Sequence, residues 1–149
     1  DPLWDKTYCY GNVIIERNDV GNRQVMHFGA DMHAEPRHKG YFYNNTSVNA
    51  VYYGFHFELY GDAGSVFDCR NNLAFGSGTA DFIFVDGTSH TTDTRDQNAS
   101  EDNSAPADTS GGGTLRNRTF NFVDAGAGNY KISTSDTGAT DLGVDLSAI

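Results

Sequence analysis

One five-residue phrase, written four times with variation, limits what this chain can become: Cys9-Tyr10-Gly11-Asn12-Val13, Phe42-Tyr43-Asn44-Asn45-Thr46, Cys69-Arg70-Asn71-Asn72-Leu73 and Leu115-Arg116-Asn117-Arg118-Thr119. The anchors fall at positions 12, 45, 72 and 118, so the phrase recurs without a fixed period. Stacked architectures vary in this way, because insertions map to loops while the stacked strands keep their register. A second phrase follows the first three at nearly constant distance: Val25-Met26-His27-Phe28-Gly29, Phe57-Glu58-Leu59-Tyr60-Gly61 and Ile83-Phe84-Val85-Asp86-Gly87. Alignment on the closing glycines predicts at least two short strands per coil, rich in β-branched and aromatic residues.

Stacking the phrases produces columns with physical sense. Cys9, Phe42, Cys69 and Leu115 form an apolar, inward column. Asn12, Asn45 and Asn72 form a polar column at a turn, where Asn tolerates the left-handed conformation and its amide can bond along the stack. Tyr10, Tyr43, Arg70 and Arg116 alternate with the apolar column and are expected to face outward. Cys9 and Cys69 share a column with Phe42 between them, which predicts two free thiols rather than a disulfide. The chain is thus expected to be all-β, a parallel solenoid of about four coils.

The residues Gly40 to Thr46, Asp68 to Leu73, Phe122 to Asp124, Asn129 to Ile132 and Asp141 to Gly143 resemble the right-handed parallel β-helix proteins, the pectate-lyase-like superfamily. The tail resembles the closing segment of bacterial extracellular members. The resemblance covers roughly residues 7–87 and 113–145 and implies a right-handed parallel β-helix associated with carbohydrate. One domain over 1–149 is expected: coils over 7–87, a long polar loop over 88–113, and a last coil with C-terminal closure over 114–149. The loop is assigned from Asp93, Asp96, Glu101, Asp102 and Asp108 and its lack of an apolar run. Its carboxylates would suit Ca²⁺, but they lack the spacing of a calcium loop, so no cofactor and no metal is expected.

The formal charge of −10 and pI near 4.6 oppose a phosphate-binding surface, so nucleic acid is not an expected partner. The same charge disfavours polyuronates and sulfated glycans. No run of 18 or more apolar residues exists, and no membrane span is expected. With 17 Gly, 10 Phe, 8 Tyr and many Asn, Asp, Ser and Thr, the composition is that of a secreted or cell-surface protein. Sequons at Asn44, Asn45, Asn98 and Asn117 permit N-glycosylation in a suitable host.

The histidines, His27, His33, His38, His56 and His90, show no metal-ligand spacing. Lys39, Arg37 and His38 crowd one loop and supply the base and cation types that a polysaccharide lyase needs. Glu58, Asp86 and Asp31 are carboxylates that a glycoside hydrolase would need on one face, about 5–9.5 Å apart. Neither set has a motif that fixes it. Tyr10, Tyr43, Arg70 and Arg116 make the better ligand-binding column, since tyrosine rings stack on sugars and Arg donates paired hydrogen bonds. The leading expectation is an extracellular carbohydrate-associated module. The alternatives are a structural or adhesive subunit of a fibre or oligomer and, last, a polysaccharide lyase. The first coil, around Tyr8 to Ile14, lacks a cap and is expected to be covered by another subunit or by upstream coils.

Overall fold

The structure, a computed structural model, describes residues 6–16, 23–29, 39–59, 65–86 and 92–147. Eleven strands build three parallel sheets. The first sheet joins β1 (Lys6–Tyr10), β4 (Lys39–Tyr43), β7 (Val66–Arg70) and β10 (Thr92–Asp96). The second joins β2 (Val13–Ile15), β5 (Thr46–Val48), β8 (Leu73–Phe75) and β11 (Ala99–Ser100). The third joins β3 (Gln24–Gly29), β6 (Tyr53–Leu59) and β9 (Ala80–Asp86). The chain visits the sheets in rotation, so each circuit lays its strands in parallel register on those of the circuit before. The protein is therefore all-β, with parallel sheets stacked in register, an arrangement compatible with a β-helix.

The turn between the first two strands of each circuit is where the repeated phrase acts. Gly11, Asn44, Asn71 and Gln97 take φ of 67°, 55°, 57° and 53°. The left-handed residue is thus the one before the asparagine column, not the column residue expected. Gly and Asn suit that conformation because they tolerate positive φ at least cost. The column itself is a continuous amide ladder. Asn12 Nδ2 donates to Asn45 Oδ1 at 3.0 Å, Asn45 Nδ2 to Asn72 Oδ1 at 2.9 Å, and Asn72 Nδ2 to Asn98 Oδ1 at 2.9 Å. Each Oδ1 also accepts the backbone N–H of the asparagine before it. The second amide hydrogens go to the carbonyls of Cys9, Phe42 and Cys69. Asn45, Asn72 and Asn98 are fully buried, and each buried amide is paired on both sides, as burial requires.

Asn98 corrects the sequence reading. The expected polar loop over 88–113 contains β10 and β11, whose register is Arg95 on Cys69 and Ala99 on Leu73. The fourth copy of the phrase is Arg95-Asp96-Gln97-Asn98-Ala99, and Leu115 makes only an isolated parallel bridge to Ala99. The reading failed because it required an apolar residue at the inward position. Here Arg95 occupies that position and closes the core. Its guanidinium lies 4.4 Å from the Phe84 ring centre and is held at 2.6 Å by both Asp86 and Asp93.

The core is a stack of aromatic rings. Met26, Phe55 and Phe82 share one column, and Phe28, Phe57 and Phe84 the next. Phe42 and Phe67 pack onto them from the first sheet. This register also corrects the second phrase, because Gly29 lies opposite Glu58 and Val85 rather than in a column with Gly61 and Gly87. Cys9 and Cys69 are free, with Phe42 between them in register.

The C-terminal segment does not close the end of the stack as expected; it lies against the outer face of the second sheet. An antiparallel pair, β12 (Phe122–Asp124) and β13 (Asn129–Ile132), sets Phe122 and Tyr130 on Phe75 at 4.6 and 5.6 Å between ring centres. Phe75 points outward because its neighbour Ala74 points into the core. Further along, Asn71 exchanges two hydrogen bonds with the backbone of Val144, at 2.9 and 2.8 Å.

Candidate functional site

Alternation along the first sheet places Lys6, Tyr8 and Tyr10 outward on β1, Lys39, Tyr41 and Tyr43 on β4, and Val66, Asp68 and Arg70 on β7. Tyr8 and Tyr41 stack with ring centres 4.7 Å apart and planes within 10°, and Tyr41 lies 6.4 Å from Tyr43. Tyr10 is 68% exposed and Tyr8 57%, whereas Tyr43 is buried. Burial, and then the Asp68 carboxylate beside it, push the Tyr43 phenol up, so it stays protonated as a neutral group. Arg70 forms a two-pronged pair with Asp68, Nε to Oδ1 at 2.6 Å and Nη2 to Oδ2 at 2.7 Å.

The structure therefore brings Tyr10, Tyr43 and Arg70 into one column, as the sequence predicts. Arg116 does not join them. The position after Arg70 is Asp96, and Arg116 Nε instead donates to the Ala105 carbonyl at 2.5 Å. Lys39 opens β4 half-buried, and Arg37, His38 and Asp31 lie outside the described residues. Glu58 and Asp86 do not share a face. Glu58 points outward, while Asp86 is in register with the buried Leu59 and pairs with Arg95. Of the sequons, Asn44 and Asn117 are exposed. Asn45 and Asn98 are wholly buried with both ends of the amide engaged, so the folded chain has no room for a glycan there.

A second cluster is one that the sequence reading scattered. His27 on β3 and His56 on β6 are in register and stack at 4.9 Å, 15° from parallel. Glu58 Oε1 lies 3.6 Å from His27 Nε2 and 3.4 Å from His56 Nε2. The side chains of His27, His56 and Glu58 are 27%, 12% and 24% exposed, so the cluster is sheltered yet reachable. Burial first, and then His27, lower the His56 pKa against the opposing pull of Glu58, which keeps this ring neutral near pH 7. Gln24 sits at the back of His56, its Nε2 3.0 Å from Nδ1. Gly29, opposite Glu58, has φ of 119°, and a Cβ there would run into the Glu58 backbone.

Anchoring the second phrase on its glycine scatters the histidines into different columns. The signal that pairs them is the flanking core residues: Met26-His27-Phe28, Phe55-His56-Phe57 and Phe82-Ile83-Phe84 place two histidines in one outward column. No protein-family model, curated protein or solved structure matches the chain.

Proposed function

We propose that this chain is an extracellular carbohydrate-binding module built on a right-handed parallel β-helix of the pectate-lyase-like kind. The observation that carries the reading is the outward face of the first sheet, where Tyr8, Tyr10 and Tyr41 lie beside an Arg70 held rigid by Asp68. Rigid tyrosines offer large amphipathic surface at small entropic cost. Their C–H-facing rings suit the apolar faces of pyranose units. The Arg70 charge is already neutralised by Asp68, and the chain carries −10 overall, so a neutral glycan fits this face better than a polyuronate.

The test is a glycan array followed by calorimetric titration of the best neutral oligosaccharide. Tyr10→Ala, at an exposed position, is expected to weaken binding about tenfold, equivalent to about 1.4 kcal/mol. Equal binding by wild type and a Tyr8→Ala/Tyr10→Ala double variant would count against the reading.

A second reading, a structural or adhesive subunit, is favoured by a separate observation. Among the described residues, β1, β2 and β3 have no partner on their outer edge, and Val13 and Ile15 there are 55% and 46% exposed. Open strand edges with apolar side chains invite pairing with another chain. Sedimentation velocity tests it, since a concentration-independent monomer opposes this assembly.

A further inference from the structure

We infer that His27, His56 and Glu58 form a binding site for a divalent first-row transition ion of the zinc type, on the outer face of the third sheet. The donor atoms of the three residues all lie within 4.8 Å of one another. Around a tetrahedral ion with bonds of about 2.0–2.1 Å, donors stand roughly 3.3–3.4 Å apart. The 3.4 Å between His56 Nε2 and Glu58 Oε1 already meets this and the 3.6 Å to His27 Nε2 nearly does, while the two stacked imidazoles, whose donor atoms lie within 4.8 Å, close on the ion by a tilt of the more exposed His27 ring. Two imidazoles and one carboxylate select zinc, copper, nickel or cobalt over calcium and magnesium, which take oxygen donors. Three protein donors leave a coordination position open.

The residues around the cluster favour an ion rather than a mere ring stack. Gln24 gives the His56 ring an orienting partner of the kind that metal-bound histidines have behind them. Without an ion, the Gln24 amide N–H₂ donates to Nδ1, which places the ring proton on Nε2, facing Glu58. Binding through Nε2 moves that proton to Nδ1. A half-turn of the Gln24 amide then presents its oxygen to the new N–H, and no proton is lost from the ring. The fixed stacking of the two strands supplies the preorganisation: His27 and His56 are held opposite each other by backbone register, not by a loop.

The experiment is calorimetric titration of the full chain, stripped with chelator, with Zn²⁺ alone, in parallel with His27→Ala, Glu58→Gln and Gln24→Leu. Circular dichroism of each variant confirms the fold. One ion per chain is expected, with at least tenfold weaker binding in the first two variants and about tenfold weaker binding in the third. X-ray absorption at the zinc edge is expected to show two imidazole nitrogens. Zinc binding that is unchanged in His27→Ala and Glu58→Gln would overturn the assignment, because the ion would then sit on other carboxylates. A wild-type melting temperature unmoved by zinc, together with a lower one for metal-free His27→Ala, would reduce the cluster to a structural stack and overturn it as well.

Discussion

The guanidinium of Arg95 lies 4.4 Å from the centre of the Phe84 ring, in a position that is in register with the fully buried Cys69. The inward column that runs Cys9, Phe42, Cys69 ends on a charge. Its planar face covers the last aromatic ring while its edge bonds Asp93 and Asp86. A stack of strands needs such an end, because among the described residues the third sheet has no strand beyond β9 to bury Phe84.

Replacing Arg95 with Ala is therefore expected to destabilise the fold by about 2 kcal/mol, from the lost cation–π contact and the unpaired Asp93. The Asp86 pair adds little, since that side chain is 56% exposed. Urea unfolding is the check: the midpoint should fall while the slope stays constant. A change under about 0.5 kcal/mol, typical of surface substitutions, would mean that Arg95 is not the cap.

The asparagine ladder makes a graded prediction. Asn72→Ala strips Asn45 of the acceptor for both its backbone N–H and its side-chain N–H, in a fully buried setting. A loss of about 3 kcal/mol or more is expected, since each orphaned buried donor costs roughly 1–3 kcal/mol. Asn12→Ala removes only donors at an exposed turn, and is expected to cost under about 1 kcal/mol. Equal effects of the two variants in chemical denaturation would contradict a directional ladder.

The two thiols should respond differently to access. Burial pushes the Cys69 thiol far up, and burial raises Cys9 as well, against the opposing hydrogen bond from Asn12. The reactive thiolate is therefore scarce at both in the native chain. A thiol reagent at pH 8 should leave Cys69 unmodified in the native state and find both cysteines after unfolding without reductant. Fewer than two reactive thiols after unfolding would point to a disulfide that the register forbids.

Asp136 sets a pH limit on the C-terminal segment. Burial by itself works against its charge. The backbone N–H groups of Asn121, Ala139 and Thr140, with the Thr140 hydroxyl, outweigh burial and hold the carboxyl below its ordinary range. A depressed folded pKa means stability that is fully present above the unfolded value of about 3.9 and is lost as pH falls through the folded one. Amide exchange in residues 121–140 is thus expected to rise on acidification below about pH 4. Asp136→Asn should flatten that response, and an unchanged acid response in the variant would assign it elsewhere.

The sequence by itself determined the strand phrase, its parallel stacking and the polar column at Asn12, Asn45 and Asn72, because a turn that needs positive φ and a buried amide that needs a like neighbour leave visible residue types. It also determined the free cysteines, once Phe42 was placed between them. Tertiary structure alone decided the fourth strand of the first two sheets, since Arg95 and Asp96 look like loop residues until the end of a core needs a charged lid. It alone decided that Arg116 leaves the tyrosine column and that the C-terminal strands cover Phe75. The same holds for His27 and His56. Their meeting depends on how many residues separate β2 from β3 and β5 from β6, a length that no residue type announces.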